Sequence, residues 1–407
     1  CMLVIANHEK SVEEAKTAIK AKGTPDFNKI APNDSETDGL YMAEDDEGES
    51  YYYRGAVRNN YVSFAGFIWR IIRRNGDGSV RLIYSGKSVS DTGDATTIGN
   101  SQFNSKYWDP TYVGYKYNED FSLHESNETT GYTWFTNTTK YDYGTGYTFD
   151  ESTKKFSLTG DIKQLTWNDN HDEIVNNQLY SCLEINCNVV YKVTGYSNAT
   201  TMIVQPIGYS SNSLLSAQTD TTDSPIKTKL DSWYKSNLTS YTSYLADETF
   251  CSDRSVTSGS GYLISPTTLY GAYTRLQDRK MPSLKCNQEN DRFKVSNVSA
   301  KLDYPVGLIL ADEVALAGGR AYYNGNYSPN SNYYLYNGKN YWTLSPSSFP
   351  SSNSGVRIWS VVSSGSLAPW NYVANSLGVY PVISLKQNVT ISKGDGSSLN
   401  PFVVAKS

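Results

Sequence analysis

The sequence predicts a β-rich α+β protein. Its 407 residues include 34 Tyr and 8 Trp but only 4 Met, and aromatic residues favour strands over long helices. Abundant Ser, Thr, Asn and Gly are typical of turns and polar contact surfaces. Charged residues make up only 19% and the net charge is -5, so the chain lacks the basic excess of a nucleic-acid-binding protein. This composition indicates an extracellular or cell-surface protein that binds no nucleic acid.

The beginning of the chain leaves two interpretations open. No apolar stretch approaches the ~20 residues that a membrane-spanning helix requires, and the sequence begins with Cys1 rather than Met. Cys1 could be a lipidated residue left by signal cleavage, although Met2 and Leu3 are unusual after it. The sequence could instead begin downstream of a membrane segment. We expect membrane attachment only through an N-terminal anchor that this sequence lacks.

The five cysteines fall into two neighbouring pairs and one terminal residue, Cys1. We predict disulfides between Cys182 and Cys187 and between Cys251 and Cys286. Each would stabilise the fold by roughly 2 to 4 kcal/mol in an oxidising compartment. Buried reduced thiols are the alternative.

Metal and cofactor chemistry has little support in the sequence. The three histidines, His8, His124 and His171, lack a partner at the spacing of a zinc motif. The acidic run over 44–49 lacks the ligand spacing of an EF-hand loop. We expect no metal, no cofactor and no catalytic residue.

The N-terminal part predicts a short helix followed by strands. Ser11 with Glu14 three residues later matches a capping box, and apolar residues recur at helical spacing over 11–22. Period-two patterns then predict strands over 51–57, 61–74 and 80–85. Both faces of the middle strand carry apolar residues, which indicates a central strand covered on both sides.

Residues 116–210 differ in composition from the rest of the chain. They are rich in Tyr, Thr, Asn and Asp, with short strand-like runs such as 147–149 and 156–158 separated by turns. We predict a β-rich insertion that forms its own lobe. The chain then divides into an N-terminal helical segment, 1–40, a core built from 41–115 and 211–407, and the insertion.

After the insertion the pattern returns to that of the core. Ser224 at the N-cap and Pro225 at the first helical position begin the main helix. In this helix, Asp223 and Asp231 are interpreted as solvent-facing. Downstream the patterns predict a strand over 306–310, a helical turn capped by Asp312, and strands over 341–344, 356–363 and 379–385.

Four separated motifs resemble one family. They are YYYRGAV at 51–57, FAGFIWRI at 64–71, YWTLSP at 341–346 and GVYPVI at 378–383. In this order they resemble the DUF6273 domain of bacterial surface proteins common in gut Firmicutes. The resemblance covers most of the chain from about residue 40. It implies a C-type-lectin-like core, related to formylglycine-generating enzymes and to the variable proteins of diversity-generating retroelements.

The family resemblance and the composition together predict a secreted or surface-tethered ligand-binding protein, adhesin-like, with a protein or glycan ligand. A degenerate or unrecognised formylglycine-generating-type enzyme and a structural cell-surface subunit are the alternatives. The enzyme would need the copper-binding cysteine pair that the resemblance implies near the C-terminal part, yet no Cys follows Cys286. One motif departs from the family: Tyr380 stands where an Arg is expected, so the contacts of that Arg must be replaced.

The ligand contacts are predicted on the C-terminal loops. Tyr and Trp offer large amphipathic contact areas, and Ser and Asn offer adaptable hydrogen bonds. Trp370 and Tyr372 are expected to be exposed, whereas Trp359 could instead be a core residue. The same residue types are typical of positions that retroelements diversify. The alternative is an adhesin whose contact residues do not vary in this way. The predicted contact residues are Ser348, Ser351, Asn353, Arg357, Trp359, Trp370, Asn371, Tyr372 and Asn375.

Overall fold

The structure is a computed structural model. It describes residues 9–29, 31, 39–107, 109–118, 213–262, 266–321, 330–350 and 355–405, together with residues 152–153 and the strands named below between 119 and 212. Strands outnumber helices in this part of the chain, which confirms the β-rich α+β class.

The strands are numbered in chain order. Before residue 119 come β1 (Leu40–Asp45), β2 (Gly48–Tyr53), β3 (Tyr61–Phe64), β4 (Phe67–Arg74), β5 (Val80–Tyr84), β6 (Asn100–Ser101) and β7 (Lys116–Tyr117). Between 119 and 212 lie β8 (His124–Glu125), β9 (Thr130–Thr133), β10 (Tyr147–Asp150), β11 (Lys155–Leu158), β12 (Asp172–Val175), β13 (Gln178–Cys182), β14 (Val190–Asn198) and β15 (Thr201–Gly208). After them come β16 (Thr222–Asp223), β17 (Phe250–Cys251), β18 (Val256–Ser258), β19 (Thr268–Tyr270), β20 (Arg292–Phe293), β21 (Tyr341–Phe349), β22 (Arg357–Val361), β23 (Leu367–Tyr372), β24 (Leu377–Gly378), β25 (Val382–Leu385), β26 (Ile391–Lys393) and β27 (Phe402–Val404).

The helices are short. They are α1 (Glu9–Ala21), α2 (Leu214–Ala217), α3 (Pro225–Asn237), α4 (Gly271–Tyr273), which continues into a π-helical turn over Thr274–Arg279, and α5 (Ala311–Ala317). Within the described residues no helix combines the length and the apolarity that crossing a membrane demands.

β4 is the centre of the first sheet. It pairs with β3 and β2 along one edge and with β5 along the other, always antiparallel. β25 extends the sheet beyond β5, and β27 joins β3 in parallel register. The side chains of β4 are buried from Phe67 to Arg73, as the apolar residues on both of its faces predict.

The predicted single strand over 61–74 is wrong, because a tight turn divides it. Ala65 and Gly66 connect β3 to β4 with φ angles of 53° and 80°. Two successive residues with positive φ match the backbone of a type I′ hairpin turn. The apolar Ala65, unusual in this conformation, hid the turn in the sequence pattern.

β21 is the centre of the second sheet. It pairs with β19 and β22 in antiparallel register and with β24 in parallel register, and β23 follows β22. β21 spans Tyr341–Phe349 and is therefore much longer than the predicted strand over 341–344. All nine of its side chains are buried. A hydrophobic core containing Trp69 from the first sheet and Trp342 from the second joins the two sheets.

The main helix, α3, is confirmed. It begins at Pro225, and the Ser224 hydroxyl accepts a hydrogen bond from the Lys227 backbone N–H. Ile226, Leu230 and Tyr234 are buried on its inner face. The prediction at the N-terminus is less accurate, because α1 spans Glu9–Ala21 and Ser11 therefore lies inside the helix.

Two predictions around α5 are wrong. Residues 306–310 form an extended segment with one isolated bridge, Gly307 to Val382, rather than a strand. Asp312 lies inside the helix, whose N-cap residue is Leu310. The carboxylate of Glu313 accepts a hydrogen bond from the Leu310 backbone N–H at 3.0 Å. Glu313 therefore provides a partner for the N–H of the N-cap residue, which has none within the helix.

The strands of the predicted insertion pair with one another in the part that the structure describes. β12, β13, β14, β15 and β8 form one sheet with β9 beside β15, and β10 and β11 form a hairpin. At the base, β7 pairs with β16, and Asn118 Nδ2 donates to the Ser216 carbonyl at 3.2 Å. The described residues that flank 119–212 are therefore close together. The side chains of Cys182 and Cys187 lie outside the described residues.

One predicted disulfide, Cys251 to Cys286, is confirmed. Its sulfurs are 2.02 Å apart and its Cα atoms 5.8 Å apart, and both residues are buried. The bond joins β17 to the loop before β20, which also pairs with β17. It therefore braces the small two-stranded sheet of β17 and β20.

Deleting residues 119–212 and joining Asn118 to Ser213 by a short Gly/Ser linker should leave a folded core. The reason is that Asn118 already contacts Ser216 and that β7 still pairs with β16. Circular dichroism during heating should show one cooperative transition. Loss of any cooperative transition would show that the segment is integral to the core.

Replacing Cys251 and Cys286 by Ser should lower the free energy of unfolding. Their separation of 35 residues corresponds to about 3 to 4 kcal/mol in the chain-entropy model. Urea unfolding of the double variant and of oxidised wild type measures this difference, with Cys1→Ser as the control. Equal midpoints for oxidised wild type and the double variant would contradict the structural role.

Candidate functional site

The edge of the second sheet carries most of the predicted contact residues. Arg357 on β22 is the register partner of Tyr372 on β23, Trp370 and Asn371 precede Tyr372, and Asn375 follows in the next turn. All five are partly exposed. We call these five residues the contact face.

Hydrogen bonds connect two pairs of residues in the contact face. The Arg357 guanidinium lies 5.2 Å from the centre of the Tyr372 ring, and its Nη2 donates to the Tyr372 hydroxyl at 3.3 Å. Asn375 Nδ2 donates to Asn371 Oδ1 at 3.2 Å, and Asn371 Nδ2 donates to the Ser360 hydroxyl beneath it. These contacts fix the side chains before any ligand arrives, which reduces the entropic cost of binding.

Trp359 and Ser348 do not belong to the contact face. Trp359 is 0% exposed and Ser348 is 4% exposed, because β21 and β22 lie inside the sheet. The Trp359 ring packs 6.2 Å from the Tyr273 ring. The structure therefore removes both from the predicted contact set and assigns Trp359 to the core. Ser351 and Asn353 lie outside the described residues.

A second group of charged residues surrounds Lys227. Carboxylate oxygens of Asp223, Asp231 and Asp303 lie within 4.8 Å of one another. Lys227 Nζ lies 3.0, 2.6 and 2.9 Å from them. Burial lowers the pKa of Lys227, but the hydrogen bonds and charges of the carboxylates outweigh it and raise the pKa overall. Asp223 and Asp231 are therefore counter-ions of a buried lysine, not the purely solvent-facing residues that were predicted.

A carboxyl pair, Glu248 and Asp77, lies at the edge of the core near Arg81. Burial, followed by the charge of Asp77, raises the pKa of Glu248 to about 7. Burial also raises the pKa of Asp77, but hydrogen bonds from the hydroxyl and backbone N–H of Ser79 lower it overall. Below neutral pH, protonated Glu248 therefore donates to ionised Asp77.

A tyrosine-lined pocket of about 170 Å³ opens beside the first sheet. We call it the tyrosine pocket. Arg70 on β4 and Asp91 contribute charged groups to its lining. The sequence signal for this pocket was Arg70, a charged residue between apolar neighbours in the central strand. The tyrosines of its lining are Tyr61, Tyr84, Tyr334, Tyr336, Tyr341 and Tyr380.

Tyr380, at the position where the family resemblance predicts an arginine, lines the tyrosine pocket. Its hydroxyl accepts from Asn337 Nδ2 at 2.8 Å and lies 3.1 Å from the Thr96 hydroxyl. Its ring packs 4.8 Å from the Tyr341 ring. The Tyr380 hydroxyl therefore forms neutral polar contacts in the wall of the tyrosine pocket.

The comparisons with known proteins identify no relative. No family model, no curated protein and no solved structure matches this chain. The function must therefore be inferred from the arrangement of its own side chains.

Replacing Glu248 by Gln should remove part of the pH dependence of stability. The pKa of Glu248 is about 7 in the folded state against a usual 4.5, so the folded state binds this proton more tightly than the unfolded state. Its stabilising contribution is full below pH 4.5 and is lost as the pH rises to about 7.

The urea midpoint of the wild type should therefore fall between pH 4.5 and about 7 more steeply than that of Glu248→Gln. Glu44→Gln, at a solvent-exposed position of β1, is the matched control and should follow the wild type. If the urea midpoints of wild type and Glu248→Gln depended on pH in the same way, the raised pKa of Glu248 beside Asp77 would be contradicted.

Proposed function

We propose that this protein is a secreted or surface-tethered ligand-binding protein without catalytic activity. Its contact face lies on a C-type-lectin-like frame and binds a protein or glycan. The observation that carries the proposal is the contact face itself, in which Arg357 and Tyr372 form a fixed pair on neighbouring strands. A fixed, partly exposed polar and aromatic surface on a sheet edge is suited to recognition.

The chemistry of the contact face supports either class of ligand. Trp370 and Tyr372 offer ring faces on which a sugar or an apolar side chain can stack. Arg357, Asn371 and Asn375 offer hydrogen-bonding groups around those rings, as at the centre of many protein interfaces. Diversification of this surface by a retroelement stays a prediction.

The cysteines support the location and the absence of catalysis in this proposal. The bond between Cys251 and Cys286 is compatible with an oxidising, extracellular compartment. While it is formed, these two sulfurs are not available as a copper-binding thiolate pair. Tight stoichiometric copper binding by the intact chain would therefore favour the formylglycine-generating-type alternative, and ordered polymers on cells would favour a structural subunit.

Screening the intact chain on glycan and protein arrays, followed by binding titrations with the best ligand, tests the proposal. Trp370→Ala and Tyr372→Ala should each weaken binding by roughly 2 kcal/mol, as expected for aromatic hot spots. Because both rings are partly buried, each variant should also lose about 1 kcal/mol of stability.

Tyr41→Ala is the matched control, since Tyr41 is a partly buried ring on β1 that stacks against Tyr52 in the first sheet. It should lose similar stability and bind as the wild type does. Unchanged affinity in both contact-face variants would place the ligand elsewhere and refute this assignment.

A further inference from the structure

Arg70 is a buried cation whose hydrogen-bond partners are neutral. It is 9% exposed. Its Nε donates to Asn60 Oδ1 at 2.6 Å and its Nη2 to the Val57 carbonyl at 2.8 Å. The guanidinium lies 3.9 Å from the centre of the Tyr61 ring and 5.3 Å from that of Tyr334. Among the described residues, no carboxylate forms an ion pair with it.

The positive charge of other buried arginines in the described part of the chain is balanced by nearby negative charge. Arg73, Arg81 and Arg254 each lie within 3 Å of a carboxylate oxygen. Arg54 donates to the carbonyls of Ala315 and Leu316 at the end of α5, where the helix dipole supplies negative charge. A buried guanidinium with neither form of compensation is costly unless an anion joins it.

A second polar group of the tyrosine pocket lacks a hydrogen-bond partner. The Tyr334 side chain is 8% exposed, and its buried hydroxyl has no hydrogen-bond partner. Tyr334 and Arg70 both line the tyrosine pocket. A phenol donor and a guanidinium fork in one pocket match the acceptor oxygens of a carboxylate.

We propose that the tyrosine pocket binds a small carboxylate, held by the Arg70 guanidinium and the Tyr334 hydroxyl. The volume of about 170 Å³ is comparable to cavities that hold a single ring, so the ligand is the size of a monosaccharide or an amino acid. The tyrosine rings provide flat faces for the rest of the molecule. This site is separate from the contact face.

Asp91 restricts the ligand further. It lines the same pocket, and its Oδ2 accepts from the backbone N–H groups of Lys87 and Ser88 at 2.7 and 3.0 Å. Those donors partly neutralise the carboxylate, yet it still disfavours a second anionic group on the ligand. A single carboxylate accompanied by hydroxyl, amide or ammonium donors fits, as in an acidic sugar or an α-amino acid.

Calorimetric titration of the full chain distinguishes acidic sugars from α-amino acids as the ligand of the tyrosine pocket. The probes are D-glucuronate, N-acetylneuraminate and a set of L-amino acids, with neutral D-glucose as the comparison. At least one carboxylate probe should bind with a Kd below about 1 mM, and D-glucose should bind at least about tenfold more weakly. Binding of sugar acids alone or of amino acids alone identifies the source.

Tyr334→Phe and Arg70→Lys test the two groups. Tyr334→Phe deletes one unsatisfied oxygen, so this variant should fold. Its affinity for the carboxylate probe should be about tenfold lower than that of the wild type. Arg70→Lys should lower the affinity for the carboxylate probe by a similar factor, because an ammonium lacks the planar fork of a guanidinium. Tyr53→Phe, a buried tyrosine that contacts the Tyr334 ring from outside the pocket, should leave affinity unchanged.

Three results would overturn the proposal. They are no binding of any carboxylate probe at about 10 mM, equal affinity for D-glucose, or unchanged affinity in folded Tyr334→Phe. If Arg70→Lys does not fold, Tyr334→Phe and its Tyr53→Phe control decide the question alone. None of these measurements involves Trp370 or Tyr372, so they are independent of the contact face.

Discussion

The core depends on one buried carboxylate, that of Glu313. Its Oε1 lies 2.9 Å from Arg73 Nε and 2.7 Å from Arg81 Nε, and Arg73 Nη1 lies 2.7 Å from Asp45 Oδ2. These groups belong to α5, β4, β5 and β1, so the charges align a helix with three strands of the first sheet. Removing one partner from such a buried group costs about 3 to 5 kcal/mol. The strand that carries Arg70 is positioned by this network.

Local signals in the sequence predicted several elements because their causes are local. The Ser224–Pro225 pair marks the start of α3, and two short runs with an intervening turn mark the hairpin of β10 and β11. Elements whose boundaries depend on tertiary contacts were missed. Residues 306–310 are extended without a full strand partner, and Asp312 does not cap α5, since its carboxylate instead contacts Arg275 at 2.9 Å.

The depth of a side chain was harder to predict than its chemistry. Trp359 and Trp370 are both tryptophans in neighbouring strands, yet one is fully buried and the other partly exposed. The difference follows from the position of each strand in the sheet, and strand pairing is a long-range property. The tyrosine pocket was missed for a similar reason. Its walls come from segments near 61–96, 334–341 and 380, which only the folded chain brings together.

The parallel pairing of β27 with β3 has a consequence for biosynthesis. Phe402 is the register partner of Val62, so one edge of β3 cannot be covered until residue 402 is available. A nascent chain therefore carries an open strand edge through most of its synthesis, and closing such a long loop slows folding. Open edges invite pairing between chains. Efficient production of this protein should thus depend on keeping unfinished chains apart.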